Sequence, residues 1–181
     1  MRHCAHSIAH LYDIQHDPTL GNEMTYISPT SSKRVGLSFI IPRSLADLQR
    51  RSRMMRHWAR YSGGMIGRSP DYLNASLMAM ATAADFFAQN DPRFANNISN
   101  YYTYVREHDL CLTHTLVNPQ QNRALTASGH PSAEIAARMV KETDAGMVIH
   151  GARILATLGP LADEILVFPS TVLRAAADTA P

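Results

Sequence analysis

Polar side chains concentrate in three short segments of an otherwise apolar chain. Residues 67–72 contain Arg68 and Tyr72, which are four residues apart and can project from one face of a helix start. Residues 112–123 place His114 between two threonines, and residues 152–160 form the third segment. These side chains could bind a polar ligand, but Tyr72 could equally be a half-buried ring and His114 a core residue. The segments alone identify no reaction.

Helices are expected to position the first of these segments. Residues 4–16 can form a helix that Pro18 ends. Residues 19–43 are expected to be an extended loop that contains a short apolar piece at residues 35–41. Ser44 is a good N-cap for the next helix, and Asp47 lies in its first turn, where a carboxylate favours the helix dipole. Apolar residues then repeat at helical spacing: Met54, Trp58, Tyr61 and Met65.

Two further helix starts follow. Ser69 and Pro70 are typical of the cap and first position of a helix, and residues 90–92 indicate a break and a restart. The buried stripe of the first helix is expected at Leu73, Leu77, Met80, Ala84 and Phe87. That of the second is expected at Phe94, Ile98, Tyr101 or Tyr102, and Val105.

The pattern changes after His114. Residues 139–142 and 147–150, joined by a turn, are typical of a β-hairpin, and residues 165–168 of a further strand. Helices that precede strands predict an α+β fold. Its helical domain is expected at residues 1–125 and the start of a β domain at residues 126–181. So few strands leave unpaired edges, and more sheet is expected to complete them.

Composition excludes several classes of function. The 181 residues carry a formal net charge of +2 and only 18% charged residues, too little positive charge to indicate nucleic acid or an anionic membrane as partner. The arginines between Arg43 and Arg60 are expected to line a solvated helix face. Two cysteines, Cys4 and Cys111, predict neither a zinc site nor a disulfide framework. A soluble cytoplasmic protein is therefore expected.

Long runs of the chain are similar to one enzyme family. They are LYDIQHDP, MTYISPTS, VGLSFIIPR, YSGGMIGRSPDYLN, ADFFAQNDPRFANNI, YYTYVREHDLCLTHTLVNPQ, VKETDAG and GARILATLGPLADEILVFPS. Through them, residues 11–170 resemble the 4-hydroxyphenylacetate 3-monooxygenase oxygenase family, which is related to pyoverdine-chromophore hydroxylases and 4-hydroxybutyryl-CoA dehydratase. The resemblance implies an acyl-CoA-dehydrogenase-like N-terminal helical domain followed by the first strands of the middle β domain. The C-terminal helical bundle of the family is expected to be absent.

The family resemblance also implies chemistry and partners. It implies that reduced FAD from a separate flavin reductase is used with O2 to hydroxylate a phenol, such as 4-hydroxyphenylacetate, ortho to its hydroxyl. Arg68, Tyr72 and His114 match the positions that hold the phenol, and no metal is expected. Family positions that contact flavin match His114, Thr115, Leu116, Gln120, Gln121, Asn122, Arg123, Ala156, Thr157 and Leu158. Full-length members imply a homo-oligomer.

Two alternatives stay open. A fragment resembling 4-hydroxybutyryl-CoA dehydratase would need cysteines for an iron–sulfur cluster, and residues 67–72 contain none. The chain could also be a truncated gene product that binds a partner without catalysis. Whether it is part of a monooxygenase or a truncated gene product, the isolated chain is expected to have no hydroxylase activity.

Overall fold

Among the described residues, helices dominate up to His108 and strands dominate after it. The chain divides into one unit from Met1 to Leu112 and another from Thr113 to Pro181. The computed structural model describes residues 2–65, 71–119 and 136–168. The order of helices before strands confirms the expected α+β class. The domain boundary expected at residues 125 and 126 lies outside the described residues.

The described elements follow one another in a simple order. The first unit contains α1 (Arg2–Asp13), α2 (Gly21–Met24), β1 (Thr25–Ile27), β2 (Arg34–Gly36), a 3-10 turn (Leu37–Phe39), α3 (Leu45–Ser62), α4 (Asp71–Thr82), α5 (Ala84–Ala88) and α6 (Pro92–His108). The strands that follow are β3 (Leu112–Thr115), β4 (Arg138–Thr143), β5 (Gly146–His150) and β6 (Glu164–Val167). None of the described helices is long and apolar enough to cross a bilayer.

Local capping explains where the two longest helices begin. Ser44 accepts a hydrogen bond from the Asp47 amide at 3.2 Å, and its hydroxyl donates to the Asp47 carboxylate at 2.9 Å. The N-cap expected for α3 is therefore confirmed. Asp91 caps α6 by accepting from the Arg93 amide at 2.8 Å, with Pro92 in the first turn. The restart expected at residues 90–92 is confirmed as well.

The core of the first unit joins helices that are far apart in sequence. It consists of Leu11, Ile14, Met24, Leu37, Ile40, Met54 and Trp58. The stripe predicted for α3 is confirmed at Met54 and Trp58 but wrong at its end, since Tyr61 is 48% exposed and Met65 is 87% exposed. Gly63 ends the helix in a left-handed conformation, so Met65 no longer follows the helical spacing.

The segment expected to be a loop is ordered by tertiary packing. Residues 19–43 contain α2, the antiparallel pair of β1 and β2, and the 3-10 turn, so the prediction of an extended loop was wrong. Leu37 and Phe39 are completely buried. Burial of these side chains, rather than local propensity, stabilises the short elements around them.

The next helices differ from the prediction in one place. Leu73, Leu77, Tyr102 and Val105 are buried, as expected. However, α4 ends at Thr82 and a separate short helix, α5, begins at Ala84, so the single stripe predicted to reach Phe87 is interrupted. Phe94, expected to be buried, is 45% exposed. The predicted start at Ser69 and Pro70 lies outside the described residues.

Strands of the second unit form two separate pairs. The antiparallel pair of β4 and β5 confirms the predicted hairpin, with Thr143 opposite Gly146 at the turn. The predicted strand at residues 165–168 is confirmed as β6, which pairs with β3. β3 itself was not predicted, because three of its four residues, Thr113, His114 and Thr115, are polar and show no alternation of apolar and polar side chains.

Removal of the α3 cap should weaken the first unit. Ser44→Ala leaves the Asp47 amide without its side-chain acceptor, and we expect the free energy of unfolding to fall by about 1 kcal/mol. Urea denaturation followed by circular dichroism measures this change. Ser52→Ala, on an exposed position of the same helix, is the control. Equal stability of the two variants would contradict the capping role.

Asp109 should make the stability of the first unit depend on pH. Its carboxylate accepts from Gln15 Nε2 at 2.8 Å, and burial raises the pKa of Asp109 above its usual value of 3.8. The folded state therefore binds this proton more tightly than the unfolded state, and ionisation costs stability as the pH rises through the folded pKa.

Asp109→Asn should remove that cost. Relative to the unmodified protein, the unfolding free energy of this variant should increase as the pH rises from about 4 to about 7. Denaturation curves at several pH values measure the difference, with Asp85→Asn as control for loss of an exposed negative charge. A difference that is independent of pH would contradict the assigned cause.

Candidate active site

Tyr72 lies in the first turn of α4, between two buried residues. Its side chain is 48% exposed, whereas Asp71 and Asn74 are 8% and 2% exposed. One side of this helical turn therefore packs against the protein while the tyrosine projects from it. Arg68, the residue expected to act with Tyr72, lies outside the described residues.

A buried arginine holds the start of α4. Arg51 Nη2 donates to both carboxylate oxygens of Asp71, at 2.9 and 3.0 Å, and Nη1 donates to the Ser38 carbonyl at 2.6 Å. Asn74 Nδ2 donates to Ser38 Oγ at 2.8 Å. Burial raises the pKa of the Asp71 carboxyl, and the guanidinium opposes that shift. The first turn of α4 is thus bound to α3 and to the 3-10 turn.

The basic run on α3 is only partly the solvated face that was expected. Arg43, Arg53, Arg56 and Arg60 are exposed. Arg50 and Arg51 instead point to the protein, and Arg50 donates to the Thr25 carbonyl at 3.1 Å. Arg51 was missed as a functional candidate, although it precedes buried Met54 by three residues and Trp58 by seven. That helical spacing was the available signal.

His114 occupies the middle of β3 and is 4% exposed. Its ring centroid lies 5.8 Å from that of Phe168, with the two planes inclined at 56°. Successive side chains of a strand point to opposite faces, so Thr113 and Thr115 lie on the face opposite to His114.

The two threonines connect β3 to the third polar segment. Thr115 Oγ1 donates to the Ile154 carbonyl at 2.6 Å, and the Leu158 amide donates to Thr113 Oγ1 at 3.4 Å. The Ile154 amide also donates to the Val117 carbonyl at 2.9 Å. The structure therefore brings residues 114–116 beside residues 154–158. Both stretches contain positions that the family resemblance relates to flavin.

Arg153 secures the end of the same strand region. Its Nη1 donates to the Leu116 carbonyl at 3.4 Å and to Asn118 Oδ1. Arg153 belongs to the third polar segment, but no role was predicted for it, and the available signal was a charged side chain within an otherwise apolar run. Leu155 adopts a left-handed conformation with φ of 69°, which turns the chain before residues 156–158.

The described residues fit part of a flavin site. The Thr115 hydroxyl donates its proton to the Ile154 carbonyl, and the lone pairs of its oxygen can accept a hydrogen bond from a ligand. Thr157 is exposed, Ala156 is half-buried and Leu158 is buried, so this turn offers one polar and one apolar contact. Four other expected flavin contacts, Gln120, Gln121, Asn122 and Arg123, lie outside the described residues.

Other places in the described structure suit the expected ligands less well. A cavity lined by Gln15, Trp58, Asn74 and Asp109 has a volume of about 10 Å³, room for about one water molecule and not for a phenol. Within residues 2–65, 71–119 and 136–168, no three His, Cys, Asp or Glu side chains are grouped to bind a metal.

Comparisons with known proteins give the family. Residues 1–180 match the family model described as 4-hydroxyphenylacetate 3-hydroxylase N terminal. The 4-hydroxyphenylacetate 3-monooxygenase oxygenase components of Geobacillus sp. (strain PA-9) and Thermus thermophilus are 47% and 49% identical, over 99% and 95% of this chain. The chain spans only 36% and 34% of those relatives.

Solved structures agree with this assignment. The oxygenase component of 4-hydroxyphenylacetate 3-monooxygenase, complexed with FAD and 4-hydroxyphenylacetate, superposes with a TM-score of 0.83 at 50% identity. That match covers 94% of this chain and 34% of the solved one. A 4-hydroxybutyryl-CoA dehydratase from N. maritimus, at 16% identity and a TM-score of 0.75, shares the fold. The chain belongs to the 4-hydroxyphenylacetate 3-hydroxylase N-terminal family.

Proposed function

We propose that this chain supplies the N-terminal third of an oxygenase that hydroxylates a phenol ortho to its hydroxyl group. The observation that carries the proposal is the 50% identity, over 94% of this chain, to an oxygenase component solved with FAD and 4-hydroxyphenylacetate. The substrate is a phenol of similar size, and the product is a catechol. Reduced FAD, when bound, supplies the chemistry that activates O2.

Three side chains of this chain are proposed to hold the phenol. Tyr72 donates a hydrogen bond to the phenol oxygen, and Arg68 stabilises negative charge that develops there. His114 accepts the phenol proton, because an imidazole exchanges a proton near neutral pH. Loss of that proton increases the electron density of the ring carbon ortho to the oxygen, which is the atom that becomes hydroxylated.

The flavin is proposed to lie along the second unit. Its contacts are His114, Thr115, Leu116, Gln120, Gln121, Asn122, Arg123, Ala156, Thr157 and Leu158. The hydrogen bonds that join Thr113 and Thr115 to residues 154–158 support this assignment, because they place two of the contact stretches side by side. Thr157 offers an exposed hydroxyl at the end of this surface.

Other components complete the proposed system. A separate flavin reductase supplies the reduced FAD, and the assembled oxygenase is a homo-oligomer in the cytoplasm. The relatives are about three times as long as this chain. Small-molecule sites bury roughly 70–90% of their ligand, so the remaining walls of the proposed site belong to protein outside these residues.

Loss of the Tyr72 hydroxyl should slow hydroxylation. The test protein is a chimaeric oxygenase, in which this chain is joined to the remaining two thirds, approximately, of the Thermus thermophilus relative. We expect Tyr72→Phe, Arg68→Ala and His114→Ala each to raise the barrier by about 2–4 kcal/mol, as for removal of one stabilising donor. Product formation measured by chromatography gives kcat, and flavin fluorescence gives the affinity for FAD in Tyr72→Phe.

Tyr104→Phe is the matched control, since Tyr104 is 45% exposed and lies on α6, away from the proposed site residues in sequence. Its kcat should equal that of the unmodified chimaera. Full activity of all three site variants would refute the proposed roles. Turnover that survives rigorous exclusion of oxygen would refute the proposed reaction.

The 181-residue chain alone should form no catechol. We expect this because the flavin would be enclosed on one side only. The assay combines the chain with FAD, NADH, a flavin reductase and 4-hydroxyphenylacetate, and the reductase without the chain is the control. Catechol formation well above that control would show that the chain contains a complete site.

A further inference from the structure

We propose that Arg51 and Asp71 form a positioning pair that sets the direction in which Tyr72 projects toward the phenol. This inference rests on the role proposed for Tyr72. Neither member of the pair is proposed to touch the substrate. They act through the backbone at the start of α4, where Asp71 is the residue immediately before Tyr72.

The geometry of the pair restricts rotation of both side chains. Two contacts of similar length, 2.9 and 3.0 Å, join Arg51 Nη2 to the two carboxylate oxygens of Asp71. A third, at 2.6 Å, joins Arg51 Nη1 to the Ser38 carbonyl. The guanidinium is planar, so contacts from two of its nitrogens fix its orientation as well as its place.

A second anchor lies on the other side of Tyr72. Asn74, 2% exposed, donates to Ser38 Oγ at 2.8 Å, so Ser38 receives one bond from Arg51 at its carbonyl and one from Asn74 at its hydroxyl. The backbone at Tyr72 therefore lies between Asp71, which is linked to the turn through Arg51, and Asn74, which binds the turn directly. A rotation of the helix start that redirected Tyr72 would break at least one of these contacts.

Stability alone gives a poor account of this pair. Asp71 and Arg51 side chains are only 11% and 15% exposed, and removing charges from water costs free energy that their attraction must first offset. Apolar residues of similar volume often stabilise a protein as well as a buried ion pair does. Apolar residues cannot form the directional hydrogen bonds that join α3 to the 3-10 turn and to the residue beside Tyr72.

The test is a double-mutant cycle in the chimaeric oxygenase. Asp71→Asn keeps the size of the side chain but removes the charge and one acceptor, and Arg51→Lys keeps the charge but removes the planar fork. We expect each variant to lower kcat for hydroxylation by about tenfold, with unchanged affinity for FAD. In a Tyr72→Phe background, the same substitutions should lower kcat further by less than about twofold.

Leu77→Ala is the control for a general loss of stability. Leu77 lies on the same helix and is fully buried, but it takes no part in the anchor. We expect it to lower the thermal unfolding temperature at least as much as Asp71→Asn, with kcat per folded molecule within about twofold of the unmodified chimaera. An equal loss of kcat in Leu77→Ala would overturn the proposal.

The remaining outcomes are distinguishable. Unchanged kcat in both Asp71→Asn and Arg51→Lys would overturn the positioning role and leave the proposed function intact, as would losses that multiply fully with that of Tyr72→Phe. Unchanged kcat in Tyr72→Phe itself would overturn the role proposed for Tyr72 and the pair together. If Asp71→Asn fails to fold, the kcat of Arg51→Lys is the deciding measurement, because this variant keeps a cation against the carboxylate.

Discussion

The partly buried contact between Arg51 and Asp71 is the constraint that holds the start of α4 in place. It joins the middle of α3 to the first residue of α4, and the same arginine binds the 3-10 turn through the Ser38 carbonyl. A charged pair removed from water is stable only when its hydrogen bonds are satisfied in a defined geometry. The pair therefore restricts displacement of α4, and this restriction is the basis of the positioning role proposed for it beside the half-exposed Tyr72.

In the second unit, hydrogen bonds from the side chains of a strand hold the proposed site residues in place. In β3, alternate side chains point to opposite faces, so the hydroxyls of Thr113 and Thr115 bind residues 154–158 while His114 faces the other way. One short strand thus joins two stretches of proposed flavin contacts through its threonines, and it carries His114, which is proposed both to contact the flavin and to accept the phenol proton.

Local signals in the sequence were sufficient for some elements and not for others. The cap at Ser44, the helix restart at residues 90–92 and the hairpin of β4 and β5 were predicted correctly, because each depends on residues within a few positions of one another. Leu37 and Phe39 were assigned to a loop, because their burial depends on helices that are distant in sequence. β3 was missed because its partner, β6, begins about fifty residues later.

The residues of the candidate site also differ in whether local signals in the sequence were sufficient to predict them. Tyr72 and His114 were found through motifs that resemble a known family, and their exposures of 48% and 4% match the alternatives considered for them, a half-buried ring and a core residue. Arg51 was hidden among neighbouring arginines, most of which are solvated, and only its spacing from Met54 and Trp58 distinguished it. No role was predicted for Asp71, because its partner on α3 is separated from it by twenty residues.

The most direct test of the account is a crystal structure of the chimaeric oxygenase with FAD and 4-hydroxyphenylacetate. We expect Tyr72 Oη to lie about 3 Å from the phenol oxygen, within hydrogen-bonding distance. We also expect the Arg51 contacts to Asp71 and Ser38 to persist in the complex. A phenol oxygen bound well beyond hydrogen-bonding distance of Tyr72, with the Arg51 contacts intact, would refute the role proposed for Tyr72 and for the pair that positions it.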